Sequence, residues 1–179
     1  MTRTRATYEV IGGSWDYIRH MRWSLLLLIP LCACTSEEGD PCSRFYKPYP
    51  NLIGQRPRTE ASAALLDAMA AYDRGDLATA AEGLSSVVEK SPDDRLARLY
   101  LASALLGAGE PYKAEMHLDF LERVPGATFK DQTEWYNTLC WLCSGQNDRA
   151  AQEAARIAAL PSHTYKREAA SLSEVIGGR

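Results

Sequence analysis

Two cysteines three positions apart, in Cys140-Trp141-Leu142-Cys143, are the residues of this 179-residue chain best suited to chemistry. Thiols at that spacing exchange disulfides when one is held as a thiolate, which a helix N-terminus favours. Here the pair falls near the end of a helical stretch, at the opposite pole. The pattern therefore favours Cys140 as a small packing residue, in register with Ala70 and Ala104, and Cys143 as a partly exposed thiol. Cys42 leaves the bridging open: 140 to 143, 42 to either, or none. The histidines His20, His117 and His163 are dispersed, so neither a histidine metal pair nor a nucleophile–base pair is expected. No glycine–lysine phosphate loop is present. The expectation is a non-enzymatic chain with no metal, cofactor or small-molecule substrate. Its rival from another class is a thiol–disulfide redox protein using Cys140 and Cys143.

Composition narrows the partners. The net charge is −3 and the basic residues are scattered, which argues against nucleic acid. Apolar residues make up 46% and charged residues 24%, a globular balance, and alanine and leucine dominate after residue 60, as in helical proteins.

The N-terminus reads as a targeting element. Residues 24–34 are an uncharged apolar block preceded by Arg19 and Arg22. Eleven helical residues reach about 16 Å, roughly half a bilayer core, which suits a signal peptide better than a span. The block ends in Leu31-Cys32-Ala33-Cys34, which resembles the lipobox of bacterial lipoproteins. That resemblance implies cleavage before Cys34, acylation of its thiol, and a chain held by lipid in the bacterial cell envelope. The expected address is the extracytoplasmic side of a membrane, in the periplasm or at the cell surface. Residues 1–33 are then a leader and 34–59 a tether. If residues 1–20 instead persist as a cytoplasmic arm, the chain is the sensory half of a membrane-tethered regulator. Met21 is an alternative start.

The tether has an unusual middle, Phe45-Tyr46-Lys47-Pro48-Tyr49-Pro50-Asn51-Leu52-Ile53. Pro41, Pro48, Pro50 and Pro57 predict extended backbone with no helix. Three aromatics and two aliphatics favour lying on an apolar surface over waving in water.

From residue 60 onward the pattern is helical and punctuated at a fixed period. Gly75, Gly109 and Gly145 recur, each followed five residues later by Ala80, Ala114 or Ala150, then by Pro92, Pro125 or Pro161. Helices are predicted from Thr59 or Ser62 to about Arg74, and over 77–90, 94–106, 111–123, 130–144 and 148–160. Ser162 is expected to cap a closing helix over 165–176. With Ala68, Ala102 and Thr138 seven residues before the glycines, this pattern over 60–161 resembles the tetratricopeptide repeat family. The resemblance implies an all-α solenoid of three helix pairs, a C-terminal capping helix over the open end, and a protein–protein interaction role. The third unit departs most, with Thr138 at the close contact and Ala154 in place of Leu84 and Leu118.

Such units present a concave face from their first helices. Counting back from each glycine places Leu65, Met69 and Tyr72, then Leu99, Ser103 and Leu106, then Trp135, Leu139 and Leu142 on it. Family members that grip a peptide's terminal carboxylate carry basic residues there; this face is apolar, so an acidic tail is an unsuitable ligand. The face is expected to bind an unidentified protein partner or the chain's own linker, through Phe45, Tyr46, Tyr49, Leu52 and Ile53. Burying two aromatics and two aliphatics gives on the order of 6–10 kcal/mol gross, against the cost of ordering roughly nine residues. Those sizes leave both a structural and a displaceable linker open.

Overall fold

Three glycines set the architecture. Gly75, Gly109 and Gly145 have φ of 78°, 83° and 80°, a left-handed conformation that a side chain disfavours. Each ends a helix in the same way. The Gly75 and Asp76 amides donate to the Tyr72 and Ala71 carbonyls, the Gly109 and Glu110 amides to Leu106 and Leu105, and the Gly145 and Gln146 amides to Leu142 and Trp141. This paired bonding satisfies the orphan carbonyls of a helix end and turns the chain back on itself.

The computed structural model describes residues 39–53, 56–124 and 128–178. Among them lie eight helices and no strand: α1 (Pro41–Phe45), α2 (Glu60–Asp73), α3 (Leu77–Lys90), α4 (Arg95–Gly107), α5 (Pro111–Arg123), α6 (Lys130–Cys143), α7 (Asn147–Ala159) and α8 (Lys166–Gly177). All belong to one compact unit, Glu38–Arg179. Each helix from α2 to α8 packs on its neighbour in sequence, and α4 also packs on α6. That is the all-α, three-pair solenoid with a closing helix.

Local chemistry explains the helix starts. Thr59 and Ser62 form a reciprocal capping box on α2. Asp76 and Asp94 accept from the Thr79 and Ala97 amides, so Asp94 caps α4 rather than beginning it. Pro111 occupies the first turn of α5, where no amide hydrogen is needed. The other bounds fall within a residue of expectation. Ser162 does not cap the last helix: Tyr165 stands at its start without a side-chain bond. The proline-rich tether does contain a helix, α1, against expectation. Pro41 is tolerated because it opens the helix, and Asp40 caps it by accepting from the Cys42 and Ser43 amides.

The buried core holds Ala80, Leu84, Ala114, Leu118, Ala150 and Ala154 from the second helices of the pairs. Gly83 shows how close the crossing is: a Cβ there would stand 2.8 Å from the Ala68 Cβ. Cys34, the lipobox, the leader and Pro125 lie outside the described residues.

Candidate peptide-binding face

All nine residues assigned to the first-helix face are buried, Leu65 being the most exposed of them at 7%. The linker packs on this face. Tyr49 and Ile53 belong to the same buried cluster as eight of these nine, all but Ser103, and Phe45 and Tyr46 pack against it. Leu52 is the exception. It is 64% exposed and does not dock, because extended backbone turns alternate side chains to opposite sides.

The linker runs from the third unit to the first, and hydroxyl groups hold its main chain. Tyr136 of α6 donates to the Lys47 carbonyl at 2.8 Å. Tyr46 donates to the Ser103 carbonyl of α4 at 2.7 Å. The Tyr49 amide donates to Ser103 Oγ at 3.0 Å, and Tyr72 of α2 donates to the Tyr49 carbonyl at 3.0 Å. Ser103 Oγ and the Tyr72 hydroxyl stand 2.7 Å apart. One proton arrangement satisfies this group: the Tyr49 amide to Ser103, Ser103 to Tyr72, and Tyr72 back to Tyr49. Tyr100 then donates to the Pro50 carbonyl at 3.0 Å and accepts from the Leu52 amide at 2.7 Å. Asn51 ends the run, donating to both oxygens of Asp73 and accepting from the Ile53 amide.

Aromatic packing sits beneath these bonds. Tyr49 lies between Tyr100 and Tyr136, with ring centres 5.5 and 6.4 Å away, and Tyr72 meets Tyr100 edge-on. Burial pushes the Tyr46 hydroxyl up to about 12, with Ser103 opposing, and raises Tyr72, Tyr100 and Tyr136 for the same first cause. These groups therefore stay protonated donors across the neutral range. Trp135 is covered differently, stacked on Tyr165 at 5.6 Å near the start of α8.

Tyr100 and Tyr136 were not among the residues counted onto this face. The available signal was that each stands nine residues before its turn glycine, directly after Leu99 and Trp135. Counting by 10, 6 and 3 steps over that position.

A covalent bond fastens the far end of the linker. Cys42 of α1 and Cys143 of α6 form a disulfide across 101 residues, with their Cα atoms 4.8 Å apart. Cys143 is thus not the partly exposed thiol expected of it. Cys140 is free and buried, and burial pushes its thiol well up, with Glu115 and Asp119 adding to the effect. A protonated, buried thiol whose neighbour is bridged elsewhere cannot run thiol exchange, so the redox reading loses its pair.

A family model described as a tetratricopeptide repeat-like domain matches residues 51–170. The chain belongs to that family. The matched span begins inside the linker, at Asn51, and ends within α8. Tetratricopeptide repeat-like domains are interaction modules, generally without catalytic activity, and bind protein partners. Comparison with curated proteins and with solved structures gives no significant match.

Proposed function

We propose that this chain is a non-enzymatic adaptor of the bacterial cell envelope, lipid-anchored through Cys34 on the extracytoplasmic side. Its first-helix face is a reader of extended peptide backbone. The observation that carries the reading is the hydroxyl row of Tyr72, Tyr100, Ser103 and Tyr136, drawn from three units and bonded to the main chain of residues 47–52. Main-chain recognition by a row of donors suits an extended segment of any chain whose side chains alternate suitably. The linker, fixed at both ends, is the occupant of this face in the oxidised protein. A persistent disulfide supports an address outside the reducing cytoplasm, as the lipobox resemblance does.

Two measurements test this. Palmitate labelling of the full chain is expected to vanish in Cys34→Ser; label that survives overturns the anchor. A fluorescent peptide of residues 44–54 is expected to bind a Cys42→Ser/Cys143→Ser/Tyr49→Ala chain, whose own linker is loosened, and not the wild type. Binding to neither chain overturns the peptide-reading face.

A further inference from the structure

We propose that Asp131, Glu134 and His163 form a site for one divalent cation of the zinc class, clasping the start of α6 to the connection between α7 and α8. Asp131 and Glu134 share the first turns of α6, but His163 lies 29 positions beyond Glu134, which is why dispersed histidines gave no sign of the site. Their donor atoms all lie within 4.8 Å of one another. His163 Nε2 stands 3.2 Å from Glu134 Oε2 and 3.8 Å from Asp131 Oδ1.

Two buried atoms there lack any hydrogen-bond partner: His163 Nε2 and Glu134 Oε2. The His163 side chain is only 2% exposed. Their closeness without a hydrogen bond has a geometric meaning. Zinc bonds of about 2.0–2.1 Å at tetrahedral angles set neighbouring donors about 3.3 Å apart, each aimed at the metal rather than at the other. The ring nitrogen and the carboxylate oxygen, 3.2 Å apart, match that spacing.

The second oxygens are already committed, which leaves the first ones for a cation. Asp131 Oδ2 accepts from both the Thr164 amide and hydroxyl at 2.7 Å, and this holds the Asp131 carboxyl below its usual range. Glu134 Oε1 pairs with Arg156 at 3.0 Å and stands 3.9 Å from Lys130. Arg156 is itself engaged by Glu153. Such bonds orient ligating carboxylates in metal sites. His163 borders a cavity of about 650 Å³ that Thr164, Lys166 and Arg167 also line.

One bond must change. The Tyr165 amide donates to His163 Nδ1 at 3.1 Å, so the neutral ring carries its hydrogen on Nε2. Metal at Nε2 moves that hydrogen to Nδ1, and the Tyr165 amide must turn away. Zinc binding thus reports at the first turn of α8.

The test uses the full chain, stripped with a chelator and titrated with zinc sulfate in a calorimeter. One zinc per chain is expected, with a higher melting temperature and a displaced Tyr165 amide resonance. His163→Gln and Asp131→Asn are expected to weaken zinc binding at least tenfold while melting like the stripped wild type; Glu134→Gln serves if either fails to fold. No saturable uptake by the wild type, or equal uptake by wild type and variants, overturns the site.

Discussion

Removing the cross-link between Cys42 and Cys143 is the perturbation with the largest calculable effect. The bridge spans 101 residues, so the chain-entropy relation assigns it about 4.7 kcal/mol through the unfolded state. Ordering the linker costs about 1–2 kcal/mol per residue, comparable with what its apolar burial returns. The bridge therefore decides whether the linker stays down. Urea unfolding of Cys42→Ser/Cys143→Ser is expected to show a loss of about 3–5 kcal/mol. For a unit of this size that corresponds to a melting temperature lower by roughly 10–20 °C. Amide exchange at Tyr49 and Leu52 should quicken before the helices open. Exchange at those two amides as slow as in the bridged protein would mean that the linker holds without the bridge. That result would refute the argument that linker docking is marginal.

Three further expectations follow from individual groups. Ser103→Ala removes the acceptor of the Tyr49 amide and a partner of Tyr72. Chemical denaturation should show a loss of about 1–3 kcal/mol, the cost of an orphaned buried donor. Gly107→Ala places a Cβ against the Tyr46 ring and Leu77, so the linker must shift; overpacking of this kind costs about 1–3 kcal/mol despite the better helix propensity of alanine. Tyr46 and Tyr165 are raised from 10.0 to about 12 by burial. Because the folded value lies above the unfolded one, their contribution is fully present below pH 10 and is lost as pH rises towards 12. Tyr46 costs up to about 1.4 kcal/mol per pH unit in that window, and Tyr165, which is more open to water, costs less because solvent screens it. Beyond the exposed Tyr112, tyrosinate absorbance should rise together with unfolding; its completion in a folded chain would contradict their burial.

Much of the fold was legible because the repeat is enforced by backbone rules. A left-handed turn accepts glycine best, and a close helix crossing needs alanine, so both leave marks at fixed spacing. Which cysteines join was not legible, since spacing left three pairings open and the helix that presents Cys42 was expected to be absent. Pro41 argued against that helix, yet a proline in the first turn breaks no hydrogen bond. The linker's contact with the first-helix face could be anticipated from its aromatics. Its hydrogen-bonding partners could not, because Tyr100 and Tyr136 look like ordinary core residues until the carbonyls they reach are placed. Leu52 was misjudged by type: apolarity does not choose between the two sides of an extended strand.

The most direct measurement is hydrogen exchange of the Tyr49 and Leu52 amides in the oxidised full chain. Both donate to hydroxyls of the first-helix face, at 3.0 and 2.7 Å. They are predicted to exchange far more slowly than in a free peptide, since both open only when the linker leaves. Exchange at the rate of a free peptide would contradict a linker bound along that face.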